Sequence, residues 1–183
     1  MLKHLGFENV GPAPKMEVEF SPCLNIITGD NGLGKTFLLD VAWWAFTRTW
    51  AREKIVPHQP PAEGKITYRF DDIQDIRDFD RADGRWINFH RKRFVSNKPV
   101  IYAQVDGGFS VWESERNRKV AEPVVYHFAP KEVWDGNGRC EGLIRDWALW
   151  QSSKDTTYFD QLQSVLRVLS PSPGDLIEVG ELR

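Results

Sequence analysis

Short runs of alternating hydrophobic and polar residues open the chain. Leu2 to Val10 predicts a first strand, ending in the turn-prone Gly11-Pro12-Ala13-Pro14. Met16, Val18 and Phe20 then alternate with Glu17 and Glu19, a period of two that predicts a half-buried strand closed by Ser21-Pro22. The apolar run Leu24-Asn25-Ile26-Ile27-Thr28 predicts a third strand. After Lys35 the period lengthens. Leu39, Trp43, Phe46 and Trp50 recur at helical spacing and predict a helix to about Lys54, with that stripe facing the sheet. Arg48, Arg52 and Lys54 suit its negative C-terminal end, and Pro57, Pro60 and Pro61 stop it.

From Gly64 to Phe128 the pattern is antiparallel β. Ile66 to Phe70 alternates, as does Trp86 to Phe89. Val100 to Val105 and Phe109 to Trp112 flank Asp106-Gly107-Gly108, a hairpin signal, and Val124 to Phe128 predicts a last strand. The charged stretch Asp71 to Asp83 predicts a short helix or loop. Beyond Ala129-Pro130 the period is helical again. Cys140 to Gln151 places Leu143, Trp147 and Trp150 on one side, and Tyr158 to Leu169 forms a second helix. Ser170 to Gly174 breaks it, and Leu176 to Val179 reads as a strand.

Composition adds bounds. A chain of 183 residues, 41% hydrophobic and 27% charged, is long enough to bury a core and ordinary for a globular protein. Eight Trp and eleven Phe argue against disorder over most of it. A net charge of −2 gives no global attraction for nucleic acid, so such contact would need a local patch. The best one is His90-Arg91-Lys92-Arg93 with Arg85 and Lys98. Cys23 and Cys140 stand far apart, without disulfide-scaffold or zinc spacing. His4, His58 and His127 are scattered, with no ligand spacing. The N-terminus lacks a signal-peptide core and no apolar run is long enough to span a bilayer, so a cytoplasmic protein with no membrane partner is expected.

The candidate chemistry lies between the third strand and the long helix. Gly29-Asp30-Asn31-Gly32-Leu33-Gly34-Lys35-Thr36 matches G-x-x-x-x-G-K-[ST], the phosphate-binding P-loop or Walker A pattern, in full. With Gly at about 7% of residues, a chance match in a chain this long is on the order of 1%. The glycines let backbone N–H groups turn inward as an anion nest. The helix start adds its own N–H groups and dipole. Lys35 can reach the β- and γ-phosphates, and the Thr36 hydroxyl can take one site on Mg²⁺. Asp30 has the wrong sign for phosphate and is expected to point outward. Phe37 continues the loop into the helix. ATP and Mg²⁺ are the expected ligands, through residues 29–37 with Thr36 on the metal.

The front of the chain resembles the SMC/RecF-type branch of ABC ATPases, some of them labelled AAA. The resemblance rests on Leu5-Gly6-Phe7-Glu8-Asn9-Val10, on Val18-Glu19-Phe20, and on Leu24 through Asp40 with Asn31 at the P-loop asparagine. It covers residues 1 to 50 well and 64 to 128 loosely. It implies an α/β (α+β) P-loop NTPase half-head: N-terminal strands, P-loop and helix, an antiparallel β lobe and C-terminal helices. Residues 1–183 would be a single incomplete domain, divided into a nucleotide-binding core at 1–56, a β lobe at 64–128 and a helical part at 129–183. It also implies a homodimer of heads closed by ATP, and a DNA or nuclease/effector partner in repair or defence.

Two family parts are missing. Val100 to Asp106 mimics a Walker B strand, but Gly107-Gly108 follows where an acid is needed, so a hairpin is expected. Leu169-Ser170-Pro171-Ser172 begins like the signature motif and fails on Pro171. For a γ-phosphate sensor, and so a catalytic role, the family pattern offers Gln151 or Gln104. The chain therefore reads as the front half of a longer ATPase that alone binds ATP and hydrolyses it poorly. The alternatives are a nucleotide-gated interaction module without catalysis and a compact P-loop kinase or GTPase. Against the GTPase, Asn117-Arg118-Lys119-Val120 does not supply the base-reading motif.

Overall fold

A computed structural model of the chain describes residues 1–58, 63–71, 73–87, 96–117 and 125–169. The predicted strand at Leu176 to Val179, the basic run His90 to Arg93, Pro171 and the base-motif residues 118–120 lie outside them. The chain is mixed α+β, with antiparallel strand pairs and five helices among the described residues. It divides into two units, one of residues 1–104 and 109–127, the other of residues 105–108 and 128–183. None of the described helices is long and apolar enough to cross a membrane.

In the first unit, β1 (Leu2–Glu8) and β2 (Lys15–Glu19) form the expected hairpin, with Leu5 opposite Val18. They join β3 (Lys65–Phe70), β4 (Ile73–Asp80) and β5 (Arg85–Ile87) in the order β2-β1-β3-β4-β5. The period of two assigns the faces. Leu5, Phe7, Ile66, Tyr68, Phe70 and Trp86 form one buried cluster with helix α1 (Lys35–Thr47). His4, Glu17, Glu19, Lys65 and Arg69 fall on the other face. A second sheet, β6-β7-β8, contains β6 (Val100–Ala103), β7 (Phe109–Trp112) and β8 (Tyr126–Phe128), and Val100, Tyr102 and Trp112 pack with Trp43 of α1.

Three expectations are corrected here. Asp71 to Asp83 is mostly the strand β4, because its two buried charges, Asp75 and Arg77, pair inside the sheet. Arg77 Nη2 donates to Asp75 Oδ2 at 2.8 Å, Arg77 Nε donates to the Tyr68 hydroxyl at 3.2 Å, and that hydroxyl donates to Asp75. Burial pushes the Tyr68 phenol up to about 12, so it stays a donor at neutral pH.

The long helix stops at Thr47 rather than near Lys54. Arg48 turns left-handed at φ 63°, and its N–H bonds Trp44 O at 2.8 Å. A left-handed arginine costs roughly 1–2 kcal/mol. Its guanidinium, 4.9 Å from the Trp44 ring centre and 4.4 Å from that of Tyr68, offsets this. Thr47 Oγ1 also closes the end, bonding Trp43 O at 2.9 Å.

The helix stripe is rotated. Leu38, Val41, Trp44 and Ala45 face the first sheet, while Leu39 is 44% exposed and Trp43 serves the second sheet. Trp50 lies past the helix and stacks on Trp44 at 5.4 Å. With apolar residues nearly all round, the period alone could not choose the face.

A short α2 (Ser114–Asn117) follows β7. The second unit carries α3 (Pro130–Asp135), α4 (Leu143–Ser152) and α5 (Thr157–Leu169). The two late helices that the period predicts both form, and they meet through Trp147 on Phe159 at 5.0 Å and Trp150 on Tyr158 at 5.9 Å. The described side chains of all three helices are half-buried or exposed.

Candidate functional site

Residues 28–33 lie exposed on the surface of the first unit, directly before α1. Gly32 and Gly34 hold φ of 86° and 89°, the left-handed region that glycine enters freely. Gly34 is the N-cap of α1, and no side chain caps the helix. Its first internal bond runs from Leu38 N–H to Gly34 O at 2.9 Å. The amides of Lys35, Thr36 and Phe37 are therefore the open donors that every helix start leaves, and they carry its positive pole.

Lys35 folds back over the loop. Its Nζ donates to Gly29 O at 2.6 Å and to Asp30 O at 2.7 Å. An ammonium has three donors, so one is left for an anion at the loop mouth. Asp30 contributes its carbonyl here, and its exposed side chain agrees with the expectation that it points outward. Asn31, Leu33 and Thr36 are exposed as well. Phe37 turns its ring inward onto Phe7, edge to face at 5.0 Å.

The expected strand at Leu24 to Thr28 does not form. Among the described residues the segment joins neither sheet, and Leu24 and Ile26 are 74% and 78% exposed. The physical reason is the lack of a neighbour. A strand needs a partner for its amides and carbonyls, and among the described residues neither sheet includes this segment. Only Ile27 packs against the core. Asn25 bonds Ser21 through both its amide oxygen and nitrogen, at 2.7 and 3.0 Å, which fixes the bend.

The remaining candidates separate. Gln151 is exposed on α4 of the second unit, and Gln104 Nε2 donates to Ser110 Oγ at 3.4 Å. The Val100 to Asp106 stretch is a hairpin arm, as its turn chemistry suggested, with Asp106 Oδ1 accepting the Gly108 N–H at 3.0 Å. His127 Nδ1 lies 2.8 Å from the hydroxyl of the fully buried Ser110, while His127 itself is exposed. Among the described residues no group of three or more His, Cys, Asp or Glu could hold a metal ion.

Two neighbours of the loop carried no signal beyond turn composition in the sequence. Pro12 lies so close to Gly34 that a Cβ on Gly34 would come within 2.5 Å of its Cγ. Gly11 lies over the Phe37 ring with a corresponding approach of 2.5 Å. The β1–β2 turn therefore rests on the start of α1. Comparison with protein-family models, with curated proteins and with solved structures gave no match to this chain.

Proposed function

We propose that this chain binds the triphosphate of ATP through residues 29–37. The observation that carries this is the coincidence of a full P-loop sequence with an exposed loop of left-handed glycines on an uncapped helix start, with Lys35 clasping it. In that arrangement the amides of residues 32–37 would surround phosphate oxygens and Lys35 would neutralise the β/γ end. Thr36 fits Mg²⁺: the residue is exposed, and this ion keeps several waters and needs few protein ligands. Bound there with the phosphates, Mg²⁺ would supply charge neutralisation.

Turnover is a separate matter. Phosphoryl transfer needs a positioned water and in-line stabilisation as well as a cradle. The stretch Val100 to Asp106, which mimics a Walker B strand, is followed by Gly107-Gly108 and not by the acid that would position that water. The exposed Leu24–Ile26 segment beside the loop is what a half-head would present to the strands of a second half. The resemblance to SMC/RecF-type heads supports the same reading: the front of a longer ATPase in repair or defence, closing on a second head with ATP and acting on DNA or an effector. The chain alone then acts as a nucleotide-gated binding module with little hydrolysis.

Calorimetric titration of Mg-ATP into the wild type and Lys35→Ala tests the binding claim. Loss of binding in the variant is expected, and undiminished affinity would sink the assignment. Steady-state ATP turnover tests the second part, which fails if the chain alone turns over on the order of one ATP per second or faster, the low end for enzymes.

A further inference from the structure

Resting on that reading, we infer that the β1–β2 turn is a brace that holds the P-loop in its phosphate-binding geometry, with Pro12 and His58 as positioning residues. Glycine permits the left-handed angle at Gly34 without enforcing it, because glycine enters other regions as readily. Something else must hold it. The proline ring at Pro12, whose own φ is fixed, stands against the Gly34 backbone with no room for a methyl group between them. One residue earlier, Gly11 meets the Phe37 ring just as closely, so the turn touches both ends of the amide run 34–37.

The turn is held from behind. Asn9, left-handed at φ 54°, donates its N–H to Pro14 O at 2.7 Å and its side-chain amide to Glu63 O at 2.9 Å. Val10 between them is fully buried. His58 ties the turn twice, through its N–H to Asn9 O at 3.0 Å and through ring Nε2 to Gly11 O at 2.7 Å. A carbonyl only accepts, so Nε2 carries the hydrogen there. His58 is itself fixed by Arg81 Nη2, which donates to its carbonyl at 2.6 Å. Close contacts thus run from His58 through Gly11 and Pro12 to Gly34. Their effect is preorganisation: amides already aimed inward cost less to order around an anion.

The test compares Pro12→Ala, His58→Ala and His58→Gln, which keeps an N–H donor. Hydrogen exchange of amides 32–37 is read without ligand, binding of inorganic tripolyphosphate and of ATP by calorimetry, and the thermal midpoint as a control. The brace predicts exchange about three- to tenfold faster in Pro12→Ala and His58→Ala, the size of one lost contact, and both ligands weakened by a similar factor. Midpoints should fall by no more than about 6 °C, and His58→Gln should recover most of the loss. Unchanged exchange overturns the inference, as does a loss that merely tracks a falling midpoint. So does weakened ATP with undiminished tripolyphosphate, which would put the turn against the base. If the wild type binds neither ligand, the nucleotide reading fails, while the exchange measurement still decides the brace.

Discussion

Gly32 and Gly34 hold nearly the same backbone angle, φ 86° and 89°, but differ in what a methyl group would meet. At Gly34 it would lie 2.5 Å from Pro12 Cγ and 3.1 Å from Cδ, whereas at Gly32 it would have nothing within 4 Å. Alanine at either site costs the left-handed strain, roughly 1–2 kcal/mol. Only Gly34→Ala adds overpacking, typically about 1–3 kcal/mol. Gly34→Ala should therefore be the less stable by about 1–3 kcal/mol, a midpoint lower by roughly 2–12 °C for a chain of this size. Urea unfolding followed by tryptophan fluorescence reads the difference, since Trp44, Trp50 and Trp86 sit together beneath the sheet. Adding Pro12→Ala should return part of the loss in Gly34→Ala and none in Gly32→Ala, a coupling that a double-mutant cycle isolates. Equal losses at the two glycines, or no coupling to Pro12, would refute the packing on which the brace depends.

Replacing both Leu24 and Ile26 with serine should change stability by no more than about 0.5 kcal/mol per site, because both side chains face solvent. A loss of several kcal/mol in urea unfolding would mean that they sit in a core. Asp40 on α1 is buried beside Tyr102, and burial raises its carboxyl above the usual range. The folded protein then keeps this proton to higher pH than the unfolded chain does. Stability should fall as pH rises from about 3.9 through the raised value, and stay lower above it. Asp40→Asn should match the wild type in acid and exceed it at neutral pH in urea midpoints, and parallel profiles would exclude this. Tyr68→Phe should cost about 1–3 kcal/mol, since it leaves Asp75 and Arg77 short of a buried partner, and an unchanged unfolding midpoint would count against that network.

The hairpin at the front, the helix start at Lys35, the Val100 to Trp112 hairpin and the two late helices were all legible, because a period of two or of 3.6 and strong turn residues marked them. What escaped depended on partners distant in sequence. Asp75 and Arg77 look like loop residues until the register places Tyr68 opposite Asp75 and within reach of Arg77. Leu24 to Thr28 has strand composition and no strand, because pairing is a property of two segments and composition of one. Arg48 ends α1 by stacking on Tyr68, which no local signal announces. Within the candidate site the loop itself was plain from glycine spacing. Its contact with Gly11 and Pro12 was not, since a Gly-Pro turn says where the chain bends and nothing about what the bend rests on.

If main-chain amides of one loop hold a triphosphate, amide chemical shifts register it directly. On titration with Mg-ATP, the largest shifts should fall on Gly32, Gly34, Lys35, Thr36 and Phe37, and inorganic tripolyphosphate should reproduce them. Shifts centred elsewhere, or a loop that stays silent while ATP binds, would contradict triphosphate binding by this loop.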